Sequence, residues 1–124
     1  MMKHCFILVT KEDIALALDY YSDINSRKKF ASSICFVPDS FVLKHYKLFM
    51  GIKVFVQSLK REGDKLDYHG RTIIPPESAT VIKHRFDSNI SLRLQSKCNK
   101  RIGSLYKLLQ KAGDSQQYIV HIGI

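Results

Sequence analysis

The stretch CFILV at Cys5–Val9 decides the fold that the sequence predicts. It is an uninterrupted apolar run, which is typical of a strand covered on both faces. Thr10 follows as a helix N-cap, and Glu12 and Asp13 lie in the first turn, where the helix dipole favours negative charge. The segment therefore predicts a buried strand and then an amphipathic helix, whose inner face comprises Ile14, Ala17, Leu18 and Tyr21.

A second strand and a second helix follow. Ile34–Val37 is apolar and is stopped by Pro38, which cannot donate to a strand ladder. Asp39 or Ser40 caps the next helix, and Gly51 ends it, because glycine accepts the left-handed conformation at a helix C-terminus.

Ile52–Val56 predicts a third strand, since it carries β-branched residues and a glycine inside a helix costs about 1 kcal/mol. The alternative is a helix that continues through Gly51 to Leu59. An alternating order of strands and helices indicates parallel strands joined by helical crossovers. We therefore expect residues 1–124 to form a single α/β domain with an open, mostly parallel sheet and helices on both faces.

The next segment departs from this alternation. His69 and Gly70 predict a tight turn, so a small hairpin insertion is expected around 65–74, between Lys65–Tyr68 and Arg71–Ile74. Ala79–Phe86 has an alternating pattern that favours a strand.

The remaining elements are a long helix and a final strand. For 79–86 a helix is the alternative to a strand, because Pro76 and Glu77 suit a helix start. Asn89–Ala112 has a clear helical period, and Gln117–Ile124 predicts the last strand. The residues expected in the core are Ile14, Leu18, Phe36, Phe49, Leu94, Leu105 and Leu109.

The long helix also carries the clearest functional signal. Between Ser88 and Gly113 there are six basic residues and no acidic one. Their spacing predicts a stripe beside the apolar face, which can track a phosphate backbone. We call this set the basic ridge; it comprises Arg93, Lys97, Lys100, Arg101, Lys107 and Lys111.

Composition restricts the class of protein. The chain is 45% hydrophobic, as expected for a folded protein, and its formal net charge of +9 predicts attraction to nucleic acid or to an acidic protein. No apolar run is long enough to span a membrane. The cysteines, Cys5, Cys35 and Cys98, are odd in number and widely spaced, and no secretory signal pattern is visible, so a reduced, cytoplasmic protein is expected.

Motifs for metals, cofactors and common enzymes are missing from the sequence. The histidines and cysteines lack the spacing of metal ligands, and the segment after Cys5–Val9 lacks the glycines of a dinucleotide-binding loop. A metal-independent ribonuclease needs a base, an acid and cations but no motif. The candidates for that chemistry are His69, Arg71, Glu77, His84 and Arg85.

The leading hypothesis is a non-enzymatic binding protein that presents the basic ridge to an acidic partner, with nucleic acid preferred. One alternative is a small inhibitor or antidote, of the immunity type, that occludes an enzyme. The other is the ribonuclease. Oligomeric state is left open by the sequence.

Overall fold

The computed structural model describes residues 2–124 and contains six strands, six α-helices and two short 3₁₀ turns. The strands are β1 (Lys3–Val9), β2 (Ile34–Pro38), β3 (Met50–Val56), β4 (Glu62–Lys65), β5 (Arg71–Ile74) and β6 (Tyr118–Ile122). The helices are α1 (Ile14–Leu18), α2 (Ile24–Lys29), α3 (Asp39–Lys44), α4 (Pro76–Asp87), α5 (Ile90–Cys98) and α6 (Lys100–Ser115), with 3₁₀ turns at Lys11–Asp13 and Tyr46–Phe49.

All strands belong to one sheet with the order β2-β1-β6-β5-β3-β4, and every neighbouring pair is antiparallel. The expected mostly parallel sheet is therefore wrong. A parallel crossover must traverse the length of a strand, about 23 Å for seven residues, whereas the five residues of α1 rise only about 8 Å. The chain instead folds back through α2, where Ser26 donates to the carbonyl of Leu16, so β2 returns antiparallel to β1.

The predicted hairpin around 65–74 is also wrong, because its two arms do not pair with each other. β4 pairs with β3, with Gly63 opposite Val54, whereas β5 lies on the other side of β3 and pairs with β6. The chain between β4 and β5 is a loop, because the amide of Leu66 bonds the carbonyl of Phe49 and Leu66 itself is fully buried. The hairpin in this region thus joins β3 to β4.

Two further predictions concern β3 and α4. The strand at 52–56 is confirmed within β3, but the preceding helix ends at Lys44 and not at Gly51, which lies inside β3 with a φ of +64° that favours glycine. The strand at 79–86 is wrong, since Ala79, Ile82 and Phe86 are buried at helical spacing within α4. Pro76 at the first position of α4 was the stronger signal, because its fixed φ suits a helix start.

The long helix expected over 89–112 is broken at Asn99. The backbone of Asn99 is extended, and its side chain accepts hydrogen bonds from the amides of Arg101 and Ile102, so it caps α6. The break turns α5 across the surface of α6, and Leu94 is consequently 57% exposed rather than buried. Of the other expected core residues, Leu18 and Phe36 are half-buried, and the rest are buried.

The core consists of two layers, one on each face of the sheet. Phe6 and Leu8 of β1 join the larger layer under α3, α4, α5 and α6, whereas Cys5, Ile7 and Val9 join the smaller layer under α1 and α2. This alternation explains why β1, an interior strand, is apolar at five consecutive positions. No helix within residues 2–124 combines the length and apolar character needed to span a membrane.

Candidate functional site

The part of the basic ridge on α6 is exposed along one side of that helix. Lys100, Lys107 and Lys111 are separated by seven and four residues, and Ser104 lies between them. At 3.6 residues per turn these positions share one side, opposite the buried residues Ile102, Leu105 and Leu109. The anchoring of the apolar side on the sheet therefore fixes the direction of the basic side.

The part of the basic ridge on α5 approaches from a different helix. Arg93 and Lys97 of α5 line an open depression of about 470 Å³ between α5 and α6, and Lys107 lines it from the α6 side. Gly103 allows the two helices to approach, because a Cβ atom there would lie only 2.6 Å from the carbonyl oxygen of Ser96. Arg93, Lys97 and Lys107 thus surround one concave surface, although they do not belong to one helix.

The same depression contains one acidic residue, Asp87. Its carboxylate accepts a hydrogen bond of 2.6 Å from the hydroxyl of Tyr106 and forms an ion pair of 3.3 Å with Lys83. The hydrogen bond from Tyr106 is the largest influence on the pKa of Asp87. Together with the hydrogen bond and the charge of Lys83, it outweighs burial and lowers this pKa below its usual value. Asp87 is therefore ionised but already engaged, which leaves Arg93, Lys97 and Lys107 without an acidic partner in the depression.

The rest of the basic ridge faces a groove on the other side of α6, alongside β2. Lys100 and Arg101 line this groove together with Lys3 of β1, whose ammonium lies 4.7 Å from the centre of the Phe36 ring. Lys107 and Lys111 line its continuation, beside Ser33 and Leu108. The six predicted residues therefore divide between two concave surfaces, with Lys107 between them, and do not form one continuous stripe.

The residues considered for a ribonuclease point in different directions. Arg71 donates to the carbonyl of Leu18 on the α1 face of the sheet, whereas Arg85 donates to the carbonyls of Lys47, Leu48 and Met50 on the opposite face. These bonds fix the two cations on different faces, so they cannot stabilise one phosphorane. His69, Glu77 and His84 are exposed, and His69 bonds the carbonyl of Ile124 through Nδ1, 3.2 Å away.

A polar cluster that the sequence analysis missed lies inside the protein. Nδ1 of His4 is 2.8 Å from Nε2 of His121, and Nε2 of His4 is 2.9 Å from a carboxylate oxygen of Asp39. The hydroxyl of Tyr68 donates to the same carboxylate oxygen. We call these four residues the histidine network. They join the start of β1, the end of β6, the first residue of α3 and the loop before β5.

The protonation states of the histidine network follow from burial and bonding. Hydrogen bonds from Tyr68 and then His4 lower the pKa of Asp39, so this carboxylate is ionised and accepts a hydrogen bond from Nε2–H of His4. His121 is fully buried, and desolvation followed by the charge of His4 lowers its pKa well below the usual value. His121 is therefore neutral, and one hydrogen bond joins its Nε2 to Nδ1 of His4.

The histidine network is poorly suited to catalysis. Both histidines have no exposed surface, so a substrate cannot reach their ring nitrogens. The bond to Asp39, followed by burial, raises the pKa of Tyr68 to about 12, so this phenol stays protonated at neutral pH. Nδ1 of His121 has no hydrogen-bond partner among the described residues. The geometry is that of a buried polar brace between distant segments.

No sequence pattern pointed to the histidine network, because His4 and His121 are 117 positions apart. The described residues contain no group of three or more His, Cys, Asp or Glu side chains suited to holding a metal ion.

Comparison of the chain with protein-family models, with curated proteins and with solved structures finds no significant match in any of the three.

Proposed function

We propose that this chain is a non-enzymatic protein that binds nucleic acid through the basic ridge. The observation that carries the proposal is the arrangement of Arg93, Lys97 and Lys107 around one open depression, although they come from two helices. Basic side chains on a concave surface attract phosphates, and each contact releases counterions from the nucleic acid. Such binding depends on charge and shape, and it requires no enzymatic motif.

The exposed side of α6 extends this surface. From Lys100 to Lys111 the helix rises about 16 Å, and a duplex presents roughly ten phosphates over that length. Lys107 borders the depression and also lies on the exposed side of α6, so a phosphate backbone can pass from one to the other. Asp87 offers little repulsion, because Lys83 and Tyr106 already engage it.

We also propose that the protein is located in the cytoplasm. Cys5 and Cys35 are free thiols in neighbouring strands, but they belong to the core layers on opposite faces of the sheet and cannot pair with each other. Burial raises the pKa of both thiols to about 12, so they are unreactive. Buried, unpaired thiols of this kind fit a reducing compartment.

The experiment is a salt titration of binding to a fluorescently labelled duplex and to a labelled single strand, followed by anisotropy. With about four phosphates neutralised, log affinity should fall against log salt with a slope of about −3 to −4. The double variant Arg93→Glu/Lys97→Glu should bind more weakly and show a flatter slope. Its thermal midpoint should change little, because both side chains are exposed.

The matched control is Lys11→Glu/Lys28→Glu, which changes the net charge equally. Lys11 and Lys28 are exposed and lie on the α1 and α2 side of the sheet, away from the basic ridge. The control should retain most of the binding. Equal losses in the two double variants would show that net charge alone is responsible, and a lack of binding by the unaltered protein at low salt would refute the proposal.

A further inference from the structure

The two edges of the sheet differ in how they are protected. β4, at one edge, is the four-residue sequence EGDK, and charged residues on a short edge strand discourage the addition of another strand. β2, at the other edge, is ICFVP and carries no charge. Within the described residues no strand pairs with its outer side. β2 is therefore the edge that can accept a further strand.

The hydrogen bonds at both ends of β2 show which backbone groups are free. The amide of Leu8 donates to the carbonyl of Ser33 at 2.8 Å, and the amide of Asp39 donates to the carbonyl of Met2 at 3.1 Å. Bonding alternates along an antiparallel pair, so Cys35 and Val37 also bond to β1. The N–H and C=O groups of Ile34 and Phe36 consequently point away from the sheet, and the side chains of both are half-buried.

Basic side chains, most of them from α6, line the groove beside this free edge. α6 packs over β2, and the groove between them is lined by Lys3, Lys100 and Arg101 at one end and by Lys107 and Lys111 at the other. None of the residues lining either end is Asp or Glu. The groove thus combines an unpaired strand edge with a row of cations that have no acidic partner within it.

We propose that the groove between β2 and α6, which we call the edge groove, binds an extended, acidic segment of a partner protein that adds as a strand to β2. In this mode main-chain hydrogen bonds supply affinity, and side-chain contacts supply specificity. Acidic side chains of the segment meet Lys100, Arg101 and Lys107, and its backbone pairs with Ile34 and Phe36. The proposal goes beyond nucleic-acid binding, because it concerns another class of ligand and adds backbone pairing with β2, although Lys100, Lys107 and Lys111 belong to both surfaces.

Two other occupants fit the edge groove less well. A second copy of this chain paired edge to edge would bring two rows of basic side chains together, and like charges oppose such contact. A nucleic acid is attracted to the lysines, but its backbone lacks the regular N–H and C=O groups that pair with Ile34 and Phe36. Each of these occupants would give a different result in the peptide-binding experiment.

The experiment uses a short synthetic peptide that alternates Glu with Val, and a matched peptide that alternates Lys with Val. The acidic peptide should bind the full chain, and the amides of Ile34 and Phe36 should exchange with solvent more slowly in its presence. Phe36→Pro should reduce affinity about tenfold, because it removes an outward N–H without removing a bond to β1. Phe36→Ala, which loses the same ring but keeps that N–H, is the matched control and should bind more tightly than Phe36→Pro.

A second variant does not depend on the folding of Phe36→Pro. Lys3→Glu/Arg101→Glu changes two exposed side chains of the edge groove and should also reduce affinity about tenfold. Arg93→Glu/Lys97→Glu should leave peptide binding unchanged, since Arg93 and Lys97 line the depression on the far side of α6. Failure of nucleic-acid binding and failure of this proposal are therefore distinguishable.

Several results would overturn the proposal. They are no binding of the acidic peptide, equal binding of the two peptides, or binding without protection of the Ile34 and Phe36 amides. Protection of these amides by a single-stranded nucleic acid and not by the peptide would assign the edge groove to nucleic acid. Their protection in a concentration-dependent dimer without peptide would assign it to a second copy of the chain.

Discussion

The histidine network and the basic ridge place polar chemistry in opposite environments. In the histidine network, His4 and His121 are fully buried, and nearly every polar atom has a defined partner within the protein. In the basic ridge, all six side chains are exposed, and none forms an ion pair within the described residues. Buried partners are costly to remove, whereas exposed charges can be exchanged with little effect on stability. The histidine network therefore stabilises the fold, whereas the six side chains of the basic ridge contribute little to it.

The largest effect is expected for His4→Ala in the histidine network. The substitution leaves Nε2 of His121 without its partner, removes one of the two hydrogen bonds to the carboxylate of Asp39, and opens a cavity beside Tyr68 and His121. An unsatisfied buried group costs about 1–3 kcal/mol, so the free energy of unfolding should fall by roughly 2–4 kcal/mol. Urea denaturation measures the change. Lys107→Ala is the exposed counterpart and should change stability by less than about 0.5 kcal/mol; similar losses in the two variants would contradict the comparison.

An intermediate effect is expected for Gly103→Ala, which changes the contact between α5 and α6, the two helices that carry the basic ridge. The new Cβ would lie 2.6 Å from the backbone oxygen of Ser96, so α5 must move away from α6. Despite the better helix propensity of alanine, we expect a loss of about 1–3 kcal/mol. Nucleic-acid binding should weaken as well, because Arg93 and Lys97 move relative to Lys107. Ser104→Ala, the adjacent change without a clash, should affect neither property; a Gly103→Ala variant of unchanged stability would show that the helices are not in close contact.

Some elements are predictable from the sequence and others are not, for physical reasons. Cys5–Val9 was predictable because burial on both faces leaves an unbroken apolar run. The direction of β2 was not, because it depends on a turn between α1 and α2 that is held by side-chain bonds from Ser26 and Arg27 to backbone carbonyls. Here the residue pattern identified a strand, but bonds across the connecting segment determined its direction.

The candidate sites show the same division. The composition of the basic ridge was visible in the sequence, but its division between α5 and α6 depends on Asn99, whose role as a cap was not recognised. The signal was present, since asparagine is a preferred N-cap. The histidine network had no local signal, because its hydrogen bonds join residues from both ends of the chain.

The smallest effect is a pH dependence of stability that originates in His121. Burial followed by the charge of His4 lowers the pKa of His121 in the folded protein below its usual 6.5, so below that pH the unfolded chain binds a proton that the folded protein does not. The free energy of unfolding should therefore decrease as the pH is lowered, by about 1 kcal/mol from about pH 7 to about pH 5.5. Urea denaturation across this range measures the slope, and His121→Asn, which cannot titrate, should flatten it relative to the unaltered protein.

His45 also has a pKa lowered by burial and then by Lys44, so His45→Gln is the control that removes its share. Asp39 titrates only at lower pH, because its pKa is lowered from 3.8. If His121→Asn kept the slope and His45→Gln abolished it, the acid sensitivity would belong to the partly buried His45 instead of the histidine network.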